Sequence, residues 1–156
     1  MKSPIVILGV DPGVTTGYAL VRAWRDGHFE RIHSGEIHDY KSVQLLARLD
    51  FDFLALEDFI LRDTRIHDRR LRAVRAIGAL EVLVPEEKLF LQEPYRKEGA
   101  PNSLLVKLGL LEHKDSEHVR DAIRHCFILA RSLLNESKSS PSKRAAYSHQ
   151  ASGRGG

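Results

Sequence analysis

Four side chains in this sequence have the types and the setting to hold divalent cations: Asp11, Glu57, His118 and Asp121. Asp11 ends an apolar run, PIVILGVD, immediately before the turn-forming DPGVTTG, and Glu57 ends a second short run, FLALE. His118 and Asp121 lie three apart on a stretch with helical periodicity, so they share one face. Carboxylates gathered in one place repel unless cations neutralise them, and oxygen-rich sets select hard ions such as Mg2+ or Mn2+. Two such ions roughly 3.5 to 4 Å apart can activate a water and stabilise the leaving oxygen of a phosphodiester. Singly, each residue has a plainer use: Asp11 caps a turn, Glu57 closes a strand, and HVRD is a solvated helix face. Their joint placement favours the metal reading.

The elements that must position them follow from the hydrophobic pattern. Residues 4–11 form a β-branched and aliphatic run of the kind a strand buried on both faces shows. A second strand is expected over Tyr18–Arg25, the Asp26-Gly27 pair marks a hairpin, and 28–38 alternates as a third strand. Asp39 is placed to cap a helix carrying Val43, Leu45, Leu46 and Leu49, and residues 53–57 form a fourth strand. A long helix is expected over 66–84, with Ile66, Ala73, Val74, Ile77 and Leu80 inward. Leu89–Gln92 reads as a fifth strand, 94–102 as a loop, 103–110 as a short helix and 116–135 as a final amphipathic helix. Helical crossovers place strands four and five parallel to the first. The expected fold class is α/β: a five-stranded mixed sheet of the RNase H-like kind, three antiparallel strands then two parallel ones, flanked by helices. Asp11 and Glu57 then emerge at one sheet edge, where open α/β sheets bind ligands. The stripe Val119, Ala122, Ile123, Cys126, Phe127 and Ala130 docks the last helix and holds His118 and Asp121 at the rim.

The stretches ILGVDPGVTTGYALV, FLALEDF, RAIGALEVL and HVRDAIRH resemble successive motifs of the RuvC-type Holliday junction resolvases of the RNase H-like superfamily, particularly compact phage-encoded members. Together they span most of residues 5–135. The resemblance implies a structure-selective DNA endonuclease that cuts four-way junctions or related branched DNA with two Mg2+ or Mn2+ ions. It implies catalytic and metal-binding roles for Asp11, Glu57, His118 and Asp121. Asp11 would bridge the ions, Glu57 and Asp121 complete their shells, and His118 ligate or position the water, leaving a 5′-phosphate and a 3′-hydroxyl. The first position of the last-helix pair is Asp or His in the family, and an imidazole there leaves Mg2+ against Mn2+ open. The resemblance also implies a homodimer, with the long helix as interface.

Contacts to the polyanion are expected from Arg62, Arg65, Arg69, Arg72 and Arg75, spaced three or four apart, and from Arg96, Lys97 and Lys107. Pairing of that Arg stripe with Asp63, Asp68 and Glu81 is the competing explanation. Lys97 resembles a family lysine near the scissile phosphate, and Phe59 or Ile60 is a candidate wedge at an opened base step. His125, two turns beyond His118, is expected as an exposed helix histidine, with phosphate contact as the alternative.

Composition bounds these readings. The 156 residues with 42% hydrophobic content suit one domain, taken here as 1–136, with 137–156 as a disordered basic tail. The formal net charge is +3, and residues 137–156 hold Lys138, Lys143, Arg144 and Arg154 without an acid, so any basic surface on the body is local. The single cysteine excludes a disulfide framework. With no secretory signal or membrane span in the pattern, a soluble cytoplasmic protein is expected, in the host's cytoplasm for a phage-borne gene. The alternatives are a flap, fork or less selective endonuclease on the same fold, a fragment of a sugar-kinase or actin-like ATPase, and a non-catalytic junction-binding module.

Overall fold

The computed structural model describes residues 3–58 and 68–136, with the backbone alone at 68–70, 95–97 and 136. The expectations placed on Phe59, Ile60, Arg62, Arg65, Ile66 and the 137–156 tail lie outside the described residues, as do those on the side chains of Arg69, Arg96 and Lys97.

Five strands, β1 (Ile5–Asp11), β2 (Thr16–Ala23), β3 (Phe29–Ile37), β4 (Phe53–Glu57) and β5 (Leu89–Gln92), form one sheet in the order β3-β2-β1-β4-β5. β1, β2 and β3 pair antiparallel, while β4 runs parallel to β1 and β5 parallel to β4. This is the RNase H-like architecture the sequence predicts. Among the described residues three α-helices accompany it: α1 (Asp68–Leu83), α2 (Asn102–Lys107) and α3 (Glu117–Glu136).

β1 is apolar throughout because both of its faces are covered. Ile7 joins Ala19, Val21 and Ala55 in a core beneath α3, to which the helix contributes Val119, Ala122, Ile123, Cys126, Phe127 and Ala130. Leu8 and Val10 point the other way, into a core with Leu54, Leu56, Ala76, Ile77 and Leu80. Alternate residues of a strand share a face, so the α3 side takes Asp11 after Ile7 and Gly9, Glu57 after Ala55, and Gln92 after Phe90. The strand pattern thus aims these three polar side chains at one helix.

Two glycines let that helix come close. A Cβ on Gly9 would stand 2.1 Å from the Ala122 carbonyl oxygen and 2.6 Å from Cys126 Sγ, and one on Gly17 would stand 2.2 Å from the His118 carbonyl oxygen. Neither position has room for a side chain, which is the usual meaning of glycine where another backbone crosses a strand.

Three expectations need correction. The segment after Asp39 is a 3-10 helix over Tyr40–Arg48, capped by the Asp39 carboxylate accepting from Lys41 N at 3.1 Å. Its threefold repeat buries Val43 and Leu46 and turns Leu45 outward, at 49% exposure, while Leu49 leaves the helix as an extended C-cap and is 37% exposed. On α1, Ala73, Ala76, Ile77 and Leu80 form the inward face, whereas Val74 lies outside it, 47% exposed. Residues 94–99 are likewise a short 3-10 helix within the expected loop.

Candidate active site

Asp11 and Glu57 stand at the carboxyl ends of β1 and β4, whose Val10 and Leu56 are register partners, and α3 crosses above them. Asp121, in the second turn of α3, faces down onto the same edge. Each of Asp11, Glu57 and Asp121 offers a carboxylate oxygen, and these atoms all lie within 4.8 Å of one another. Asp11 and Asp121 are buried, each 8% exposed, and Glu57 is half-buried. Three carboxylates at this separation and burial repel strongly in the low dielectric of a protein rim. An oxygen-only set of this kind fits a hard divalent cation such as Mg2+ or Mn2+, whose charge offsets that repulsion.

α3 also supplies a basic partner to each acid. His118, 44% exposed at its side chain, sets Nδ1 3.0 Å from Asp11 Oδ2. It stands beside the trio, with Cε1 reaching toward the turn at Gly13. Arg124 pairs with Asp121 through one guanidinium nitrogen, with the Asn102 side chain through the other, and donates from Nε to the Ala100 carbonyl at 3.3 Å. The acid on α3 is thereby tied to the start of α2.

His125 overturns its expected exposure, being fully buried. Its Nε2 donates to Glu57 Oε2 at 2.7 Å, and its Nδ1 lies 2.7 Å from the side-chain oxygen of Gln92, itself 4% exposed. Gln92 is the β5 register partner of Glu57. The position looks solvated in the sequence because its two partners are distant along the chain. The stripe around it, Ala122, Ile123, Cys126 and Leu129, was the available signal, since residue 125 falls within that buried arc. Arg124 had a more local signal, its i+3 spacing from Asp121.

The start of α3 is set by neighbouring ties. Ser116 Oγ accepts from Val119 N at 3.3 Å and bonds the Glu36 carboxylate on β3. Arg31 on β3 donates to Asp115 at 2.7 Å and pairs with Glu112. Exposed Lys114 lowers the pKa of Glu112 through a hydrogen bond, with Arg31 adding to the effect.

Of the expected basic contacts that are described, Arg75 is exposed on α1 with its guanidinium 5.7 Å from the Tyr40 ring centroid. Arg72 is half-buried on the same helix and Lys107 is exposed at the end of α2.

Comparison with solved structures gives Thermus thermophilus RuvC in complex with a Holliday junction substrate, at TM-score 0.63 and 19% identity, covering 85% of this chain and 96% of that one. A second T. thermophilus RuvC structure aligns at TM-score 0.62 and 17% identity, over 86% of this chain and 97% of that one. No family model and no curated protein matches the sequence. The shared property at this identity is the fold, and the chain has the RNase H-like fold of RuvC.

Proposed function

We propose that this protein is a metal-dependent DNA endonuclease that resolves four-way junctions or related branched DNA, leaving a 5′-phosphate and a 3′-hydroxyl. The observation that carries the reading is the convergence of Asp11, Glu57 and Asp121 within 4.8 Å at the strand ends of a RuvC-like sheet. The similarity to a RuvC bound to a junction supports the substrate class. A pair of Mg2+ or Mn2+ ions would supply a water acidic enough to attack at neutral pH and a counter-charge for the leaving oxygen.

The chain's own residues do the rest. Asp11, Glu57 and Asp121 would hold the cations. Arg124 fixes the Asp121 carboxylate from its outer side. His118, half open to solvent beside Asp11, serves as an added ligand or orients the attacking water. The basic positions Arg62, Arg65, Arg69, Arg72, Arg75, Arg96, Lys97 and Lys107 are assigned to the phosphates flanking the cut, where each contact adds affinity without reading sequence.

A homodimer fits the same reading, since two sites are needed to cut opposed strands of a symmetric junction. On α1, Leu71, Val74 and Val82 are 39%, 47% and 86% exposed. They recur at positions that line one side of a helix, and we assign this stripe to contact with a second copy, with Arg75, beside Tyr40 at its margin, left to reach phosphate.

The test is a nicking assay on synthetic four-way junctions with Mg2+ or Mn2+, run beside linear duplex and flap substrates. Symmetric cleavage of the junction by the parent protein, absent in Asp11→Asn while gel-shift binding persists, is the expected result. Undiminished nicking by Asp11→Asn sinks the assignment.

A further inference from the structure

We propose that His125, braced by Gln92, is a positioning residue that fixes the Glu57 carboxylate in the orientation needed to hold a cation; the inference rests on the metal-site reading above. A fully buried imidazole is costly in an apolar interior unless its nitrogens are paired. Residue 125 lies among Ala122, Ile123, Cys126 and Leu129, all buried, where an aliphatic side chain would pack without that cost. Instead both ring nitrogens are engaged, at 2.7 Å each, by the side chains of Glu57 and Gln92. Because a carboxylate only accepts, Nε2 is the donor in this pair; Nδ1 then meets the Gln92 amide either as a second donor, from a charged ring, or, with the amide turned over, as the acceptor of its N–H.

The geometry explains why a donor is useful there. Glu57 is the last residue of β4, with a side chain long enough to sample several rotamers at a solvent-facing rim. A charge-assisted hydrogen bond to Oε2 fixes the plane of its carboxyl group. Gln92, opposite Glu57 in register on β5, holds the imidazole from its far side, so the ring cannot turn away. His125 also lies one helical turn beyond Asp121. One face of α3 therefore presents one acid directly and sets the direction of another, which makes the separation of the two acids a property of that helix.

Groups that orient metal-ligating side chains contribute about 10- to 100-fold to metal affinity. His125→Leu should therefore weaken Mn2+ binding by about that factor, read directly from the free-Mn2+ signal in electron paramagnetic resonance. His125→Gln places an amide N–H near the former Nε2 and should recover most of the affinity. Gln92→Leu should give a smaller loss than His125→Leu. Glu57→Gln and Asp11→Asn serve as controls, and thermal melts of all variants report folding separately.

A loss in His125→Leu with recovery in His125→Gln at similar melting temperatures supports the positioning role. Equal Mn2+ affinity in the two His125 variants, or an affinity in His125→Leu matching the parent, overturns it. If the parent binds Mn2+ and Glu57→Gln does not, that second outcome leaves the nuclease reading standing. A parent protein with no Mn2+ binding at all overturns both. Should His125→Leu fail to fold, the Gln92→Leu variant carries the test, with unchanged affinity as the refuting result.

Discussion

Adding one methyl group at Gly17 should disable the site while leaving the domain folded. A Cβ there would stand 2.2 Å from the His118 carbonyl oxygen and 2.3 Å from its carbonyl carbon, where ordinary contact begins at 3.4 Å. Both obstructing atoms are backbone, so no rotamer change relieves the clash, and the start of α3 must retreat by about 1.2 Å. His118 and Asp121 ride on that turn. A displacement of about 1 Å in a catalytic group costs on the order of 100-fold in rate, while overpacking of this size costs about 1 to 3 kcal/mol of stability. The second figure is below the roughly 5 to 15 kcal/mol of a typical domain, so Gly17→Ala should melt as a cooperative unit. Gly78→Ala is the control for the melts alone, because a Cβ there meets nothing within 4 Å in the chain, and alanine in a helix interior is favoured by about 0.5 to 1 kcal/mol. The assay is single-turnover nicking of a four-way junction at saturating Mn2+, with urea melts of both variants. Nicking by Gly17→Ala within about threefold of the parent would refute the claim that close contact of α3 with the sheet sets the metal ligands, since the expected loss is on the order of 100-fold.

Other expectations follow from single contacts. Arg31→Ala strips a nearly buried Asp115, whose side chain is 8% exposed, of its cation, and urea unfolding should show a loss of about 3 kcal/mol. Arg31→Lys should lose less but not match the parent, because one ammonium cannot reproduce the two-acid grip of the guanidinium. On α1, the double variant Leu71→Glu with Val82→Glu should leave the fold intact, since both side chains are exposed, yet convert a dimer to a monomer in sedimentation velocity and remove the concentration dependence of melting. An unchanged sedimentation coefficient with a dimeric parent would move the contact to another surface.

The strands were legible because two-sided burial leaves an unbroken aliphatic signature, as in residues 5–11, and because the acids Asp11 and Glu57 break it at the ends. The last helix was legible through its apolar stripe, every named member of which is buried. Leu45 departs from expectation because a 3-10 segment repeats every three residues and not every 3.6, and Leu49 because the helix stops at Arg48 and the chain turns extended there. Val74 misled because the inward arc of α1 runs through Ala73, Ala76, Ile77 and Leu80, and a hydrophobic residue just outside such an arc looks the same in sequence. The site itself divides in the same way. The identities of its acids were visible in their placement at element ends, but the roles of Arg124 and His125 depended on Asn102 and Gln92, which only the tertiary arrangement brings near. Polarity alone suggests solvent for a histidine on a helix, and a buried polar pair is invisible until both partners have positions.

The single cysteine lies in the contact between α3 and the sheet, with its Sγ 3.5 Å from the Ile7 carbonyl and 3.4 Å from that of Ala19. Burial raises its pKa far above the ordinary thiol range, so neither the thiolate nor the sulfur surface is offered to a reagent in the closed state. Alkylation therefore requires the helix to lift from β1 and β2, and its rate under native conditions should follow the opening free energy of that layer. Labelling at the speed of a free thiol would contradict the packing described here. The protein thus carries a built-in chemical clock for the unlatching of the helix that bears half its candidate metal ligands, readable by mass spectrometry without any engineered probe.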